Sequence, residues 1–142
     1  MKNKLIIAFL SSLFIIVLGG CEKKESIIQY EGGTNPVLSA NKAGTIALSF
    51  ATKDQEAVKL TWTNPDYLFS NGLSSQDVIY QLEIDTTGSN FTNPDRKIIS
   101  FTNTLSLSIT QNDLNDYMLN QLQLNTTMAH SIQMRVRSTI GS

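Results

Sequence analysis

Alternation of apolar and polar residues is the feature that most limits how this chain of 142 residues can fold. Apolar side chains repeatedly occupy every second position, which is the pattern of β-strands that bury one face. The segments with this pattern are 45–50, 58–62, 78–84, 105–109 and 132–136, and a shorter strand is expected at 98–101. The polar segment 51–56 predicts that the first two strands form a hairpin. Such dense period-two runs predict an all-β sandwich of two sheets.

One segment departs from the alternation. Leu114, Tyr117, Met118 and Leu122 recur at the spacing of a helix face. Thr110 precedes them, with Asp113 three residues later, and this pair resembles a capping box at a helix start. The sequence therefore predicts one short inserted helix at about 111–122. We expect its apolar stripe to lie across one open end of the sandwich.

The N-terminus carries the marks of an export signal. Lys2 and Lys4 precede an apolar run at 5–18, which is shorter than the roughly 20 residues of a membrane-spanning helix. A basic start, a short apolar run and small residues at its exit are typical of a cleaved signal peptide, here 1–20. The sequence "LGGC" resembles the bacterial lipobox, which implies that Cys21 becomes the lipid-bearing first residue. A plain signal peptide followed by a chance cysteine is the alternative.

The cysteine count and the charge narrow the class of protein. Cys21 is the only cysteine, so a disulfide framework is excluded and a hydrophobic core must supply stability. Cleavage after residue 20 also removes Lys2 and Lys4, which leaves 9 basic against 12 acidic residues and a net charge of −3. This balance excludes a nucleic-acid partner. Residues 21–36 read as a tether, and 37–142 form the predicted domain.

Three features of the body resemble a fibronectin type III or immunoglobulin-like domain. They are Trp62 followed by "TNP", Tyr80 near the start of its strand, and "IQMRVRS" late in the chain. The resemblance implies that Trp62 and Tyr80 pack together between the two sheets as structural core. Such domains end on a further strand beside the "RVRS" strand, and we expect that last strand to be missing here. An unpaired edge is an aggregation hazard. We therefore expect that this chain is a fragment of a longer natural product, and the alternative is that the edge pairs with something else.

The longer strings "AVKLTWTNPDY", "DVIYQLEIDTTGSNF" and "LNDYMLNQLQL", placed after a lipobox, resemble the first domain of the SusE family. These are outer-membrane lipoproteins of Bacteroidota starch-utilisation systems. The resemblance implies a lipid-anchored protein of the outer membrane and cell surface. The resemblance also implies that this domain is a non-catalytic spacer, and that glycan-binding modules follow it in longer members of the family. The implied partners are the membrane, through Cys21, and glycan and outer-membrane glycan-uptake proteins. The alternative is an immunoglobulin-like module that docks on a transporter or adhesin assembly.

Nothing in the sequence indicates an enzyme. His130 is the only histidine, and without a second histidine or a nearby cysteine it predicts no metal site. The carboxylates are scattered over strand ends and outward-facing positions, at Asp66, Asp77, Glu83, Asp85 and Asp95. A glycosidase-like pair among them is the alternative, because spacing along the chain does not fix distance in space. The chain has no glycine-rich phosphate loop and no nucleophile elbow. We expect no catalytic residues, no metal and no cofactor.

The loop "NPDYLFSNGLSSQD" is the candidate glycan-binding segment. Flat aromatic rings and planar polar groups hold sugars, and this loop contains Tyr67, Phe69 and Asn71. The alternative is that both aromatic rings fold inward and plug the end of the sandwich.

The segment Asp85-Thr86-Thr87 resembles the O-glycosylation acceptor of this bacterial group. The resemblance implies a sugar on Thr86 or on Thr87. The alternative is a polar turn whose side chains bond to the local backbone.

Overall fold

The computed structural model of this protein describes residues 25–141 and contains nine β-strands in three antiparallel sheets. The strands are β1 (Tyr30–Gly32), β2 (Leu38–Ala40), β3 (Glu56–Trp62), β4 (Leu68–Phe69), β5 (Gly72–Leu73), β6 (Val78–Thr86), β7 (Lys97–Thr102), β8 (Ser106–Thr110) and β9 (Ile132–Ile140). The β3 sheet has the order β2-β3-β8, the β6 sheet has the order β7-β6-β9, and the small sheet has the order β1-β4-β5. The predicted all-β class is confirmed.

The β3 sheet and the β6 sheet share one hydrophobic core. Trp62 on β3 and Tyr80 on β6 are both buried, and their ring centroids lie 5.9 Å apart. Burying one large apolar side chain contributes about 2 kcal/mol, so alternate residues on facing strands hold the two sheets together. The other buried strand residues of this core are Ala57, Val58, Leu60, Leu82, Ile84, Ile109 and Val136.

Most of the predicted strands are confirmed. The segments 58–62, 78–84, 98–101 and 132–136 lie within β3, β6, β7 and β9 respectively. The segment 105–109 corresponds to β8, which begins one residue later, at Ser106. Along β3 the buried Val58, Leu60 and Trp62 alternate with exposed residues, as expected for a strand with one buried face.

The predicted strand at 45–50, with its hairpin to β3, is wrong. Residues 45–49 form no strand, Phe50–Thr52 form a 3-10 turn, and β3 pairs with β2 and β8 instead. Ile46 and Leu48 still pack against the core, so their alternation reflects burial without strand pairing. The backbone of Ser49 bonds to the side chain of Gln111, and its hydroxyl accepts from Ala51 N. Such local side-chain hydrogen bonds take the place of the backbone hydrogen bonds that a paired strand would make.

The predicted helix is confirmed, with a change of type along its length. It begins as α1 (Gln111–Asp116) and continues as a π-helical turn (Tyr117–Gln121). The capping box is present, because Thr110 Oγ1 accepts from Asp113 N and Asp113 Oδ2 accepts from Thr110 N. Leu114 is buried in the core, so the helix covers the core beyond the end of β8. In residues 25–141 no helix has the length and apolarity needed to cross a membrane.

The segment that leads into the domain is partly folded onto it. The predicted signal peptide and Cys21 lie outside the described residues, and the predicted tether 21–36 is described from Glu25 onward. Within that tether, β1 pairs with β4, and β4 pairs with β5 across a two-residue turn. The small sheet therefore connects the incoming chain to the loop between β3 and β6.

Candidate functional site

Tyr67, the first of the three predicted sugar-contact residues, is half-buried and makes structural contacts. Its hydroxyl lies 2.8 Å from the hydroxyl of Ser138 on β9. Its ring packs directly against the backbone of Gly33. A Cβ added to Gly33 would lie only 2.6 Å from Tyr67 Cδ1. Glycine at position 33 therefore leaves room for the ring, which joins the small sheet to the β6 sheet.

Phe69 and Asn71 occupy the tip of the small sheet. The half-buried Phe69 ring packs edge-on against Tyr30 at a centroid distance of 5.6 Å, and Tyr30 also packs against Tyr67 at 6.1 Å. Asn71 is exposed in the turn between β4 and β5. Because the ring of Tyr30 is tilted by 58° to 66° to its neighbours, the three rings share no flat face. A glycan-binding role for Tyr67, Phe69 and Asn71 stays a prediction.

Tyr80, the core tyrosine near Tyr67, has a hydrogen-bonded hydroxyl. Tyr80 donates to Asn64 Oδ1 at 3.4 Å. Burial, together with the neighbouring Tyr67 and Asp66, raises the pKa of the Tyr80 phenol. The phenol therefore remains protonated and acts as a structural donor near the end of the sandwich.

Two carboxylates of β6 are buried. Glu83 and Asp85 are 1% and 0% exposed, although the sequence placed them among outward-facing or strand-end positions. Glu83 is paired with Arg135, its register partner on β9, at 2.5 Å. The ring of Phe91 covers the Arg135 guanidinium at 4.2 Å. The outer face of the β6 sheet therefore holds a covered ion pair.

The Asp85-Thr86-Thr87 segment lies at the end of β6. Asp85 Oδ1 accepts from Thr86 N at 2.7 Å, and the Thr86 hydroxyl lies 3.4 Å from the same oxygen. Thr86 is half-buried, whereas Thr87 is exposed. The carboxylate thus bonds to the local backbone in this segment, and modification of Thr86 stays a prediction.

The single histidine contacts a backbone carbonyl group. His130 Nε2 lies 2.8 Å from the carbonyl oxygen of Asn125, which is a local loop contact. Among residues 25–141, no group of three or more histidine, cysteine or acidic side chains is arranged to hold a metal ion.

A groove of about 300 Å³ lies between the 3-10 turn and α1. Phe50, Asn112 and Asn115 line it, whereas Tyr67, Phe69 and Asn71 do not. Sequence reasoning missed this groove because it placed Phe50 on a strand. The only local sign was the pair of asparagines three residues apart on the predicted helix.

Comparison with known proteins gives one result. The model of the SusE outer membrane protein family matches residues 22–137, which include nearly all of the described chain. Curated proteins and solved structures give no significant match. Because the family model covers well over half of the sequence, and the all-β fold agrees with the resemblance, the chain belongs to the SusE outer membrane protein family.

Proposed function

We propose that this chain is a lipid-anchored, non-catalytic component of an outer-membrane system that takes up starch-like polysaccharide. In this proposal the β-sandwich is a spacer that holds glycan-binding modules away from the membrane. The family supports placement at the outer membrane. The lipobox-like "LGGC" supports attachment through Cys21, and more than one acyl chain would be needed for a firm anchor.

One observation carries the spacer role, namely that the incoming chain is fastened to the sandwich. Ser70 N donates to Gln29 O at 2.9 Å, and Gln29 N donates to Ser70 Oγ at 3.1 Å. Five residues further on, Thr34 N donates to Pro65 O at 2.7 Å. The Tyr67–Ser138 contact then ties this region to β9. A domain that is bound to its own leader is held at a restricted distance and orientation.

These bonds limit the length of chain that can lie between Cys21 and the folded domain. Only the seven residues 22–28 lie between Cys21 and Gln29, the first residue in these bonds. The eight residue-to-residue steps from Cys21 to Gln29 reach at most about 28 Å when fully extended. This is about half the reach of the predicted tether 21–36, so an extended tether contributes less to the clearance above the headgroups than the sequence predicted.

Metabolic labelling tests the anchor. In the native host, radiolabelled palmitate should enter the mature protein, and a Cys21→Ser variant should take up none. A wild-type product without label would contradict lipid anchoring.

Domain replacement tests the spacer. In host cells that carry the whole natural protein, residues 37–142 are exchanged for an unrelated β-sandwich of similar length, or deleted. We expect the exchange to preserve most of the capture of insoluble starch and the deletion to reduce it. Equal loss in both variants would mean that this domain itself makes the main glycan contact.

A second candidate function, an immunoglobulin-like interaction module, is supported by the edge of β9. In the described part of the chain β9 pairs only with β6. Ladder bonds through Ser131 and Gly141 continue this pairing at both ends, so alternate residues between them direct N–H and C=O groups away from β6. A long regular edge of this kind can accept a partner strand. Photo-crosslinking in host cells from Thr139, with Lys59 on β3 as the control position, would detect a transporter or adhesin partner.

We also propose O-glycosylation at Thr86. The intact mass of the mature protein from its native host should exceed the sequence mass, and Thr86→Val should remove the difference. An unmodified wild-type mass would contradict the proposal, and a difference that survives in Thr86→Val would move the site to Thr87 or elsewhere.

A further inference from the structure

We propose that the groove between the 3-10 turn and α1 binds a neutral saccharide. We call it the Phe50 groove and define it by Phe50, Lys53, Gln111, Asn112, Asn115 and Thr126. Its volume of about 300 Å³ lies at the lower end of the range for small-molecule sites. It is formed by segments other than the small sheet and its adjoining loop residues Tyr67 and Asn71.

One wall of the groove presents an aromatic ring to solvent. Phe50 is 86% exposed, the largest value among the exposed large hydrophobic residues of the described chain. The ammonium of Lys53 lies over the ring at 5.1 Å from its centroid, a distance at which a cation is attracted to an aromatic face. An exposed ring in a groove offers a flat apolar surface, on which the C–H face of a sugar can stack.

The other wall presents polar groups without protein partners. Asn112 and Asn115 are three residues apart on α1 and therefore lie on the same side of the helix. Both side chains are exposed, and neither amide has a hydrogen-bond partner among residues 25–141. Each amide supplies two donors and one acceptor oxygen. Thr126 also lines the groove. This set matches the mixed donors and acceptors of sugar hydroxyl groups.

The two walls are joined before any ligand arrives. Gln111 Oε1 accepts from Ser49 N at 3.1 Å and from the Thr52 hydroxyl at 2.8 Å. In addition, Asn112 N donates to Lys53 O at 2.9 Å. These bonds fix the 3-10 turn against the start of α1. A preformed site loses less conformational entropy on binding than a flexible loop does.

The charge of the lining selects the class of ligand. None of the lining residues is acidic, and Lys53 is the only basic one. A phosphorylated or strongly anionic ligand would be expected to require several cations. A purely apolar ligand would leave the two asparagine amides unsatisfied. A neutral saccharide has both apolar C–H faces and many hydroxyl groups, so it fits both walls. Only the choice of an α-glucan as the first probe rests on the proposed function.

Nuclear magnetic resonance titration of the mature chain with maltoheptaose tests the proposal, with xylohexaose and mannohexaose as further probes. We expect shifts of the Asn112 and Asn115 side-chain amides and of the Phe50 ring, with weak binding of about 1 mM. Phe50→Ala should weaken binding by about tenfold or more without lowering the melting temperature, because the ring is exposed. The matched control is Tyr30→Ala, which removes an exposed aromatic ring of the small sheet and should leave affinity unchanged.

Each outcome of the titration decides the proposal. Shifts at the groove that Phe50→Ala abolishes support it, and a response to xylohexaose or mannohexaose alone supports the groove while changing its glycan. Unchanged affinity in Phe50→Ala, shifts confined to Tyr30 and Phe69, or no response to any probe at several-millimolar concentration overturns it. The palmitate and domain-exchange experiments are independent of this result, so failure of the groove and failure of the proposed function are distinguishable.

Discussion

The hydroxyl of Tyr67 lies 2.8 Å from the hydroxyl of Ser138, although the two residues are 71 positions apart. Tyr67 lies in the loop between β3 and β4, and Ser138 belongs to β9. The contact joins the small sheet to the β6 sheet. It therefore links the part of the chain that arrives from the proposed anchor to the body of the domain.

Removing this hydrogen bond should cost a modest amount of stability. We expect Tyr67→Phe to lower the free energy of unfolding by about 1 kcal/mol, the usual net value of one such bond. Tyr67→Ala should lower the free energy of unfolding by about 2 kcal/mol in total, because the packing of the half-buried ring is also lost. Urea denaturation measures both values. In a double-mutant cycle, Tyr67→Phe and Ser138→Ala should be non-additive, and additive losses would contradict a direct bond.

The covered ion pair makes a sharper prediction. Arg135→Met keeps a long side chain beside Phe91 but leaves the Glu83 carboxylate without its closest cation. We expect a loss of about 2 to 4 kcal/mol, below the full value for a buried pair because the Arg135 side chain is 39% exposed. Thermal or urea unfolding measures the loss.

Arg137 provides the matched control for that change. Its guanidinium lies 3.7 Å from Glu83 and its side chain is 61% exposed, so Arg137→Met should cost less than about 1 kcal/mol. Adding Glu83→Gln to Arg135→Met should recover part of the loss, because it removes the unpaired buried charge. Equal costs for the two arginine substitutions would contradict this account.

The capping box should set the stability of α1. Thr110→Ala removes the oxygen that accepts from Asp113 N at 3.1 Å, and we expect a loss of about 1 kcal/mol. Thr110→Ser keeps the oxygen and should lose less. Unfolding monitored by circular dichroism measures the two variants, and equal losses would point to the Thr110 methyl group instead of the cap.

Glu56 predicts a pH dependence. Its carboxylate accepts from the Ser108 hydroxyl at 2.8 Å and from the Asn41 amide at 2.9 Å. These two bonds lower the pKa of Glu56 from its ordinary value of 4.5. A lowered folded-state pKa means that the ionised group stabilises the fold above the ordinary value, and that this contribution is lost as the pH falls through the folded-state pKa.

Comparison with Glu56→Gln isolates this contribution. The stability difference between wild type and Glu56→Gln should be largest near neutral pH and should shrink in acid. Thermal unfolding over a pH series measures the difference, and NMR titration of the Glu56 side chain measures its pKa directly. A difference that grows in acid would contradict the sign of the pKa shift.

The strands that could be predicted from the sequence are those in which apolar residues recur at every second position. In β3 and β6, the alternation of apolar residues such as Leu60 and Leu82 in the sequence required no knowledge of the pairing partner. The same holds for the cap of α1, since Thr110 and Asp113 are three residues apart. Ile46 and Leu48 show the limit of this reasoning. They alternate as strand residues do and pack on the core, but their backbone joins no sheet.

The amino-acid order alone established the all-β class, the inward-facing residues of the main strands, the position of the helix and the family resemblance, because each depends on residues close together in the chain. Tertiary structure decided the partners. It placed β2 beside β3, Arg135 over Glu83, β1 against β4, and Phe50 across a groove from Asn112. These contacts join residues far apart in sequence, and which of them form depends on which strand edges and core positions remain available once the sheets have assembled.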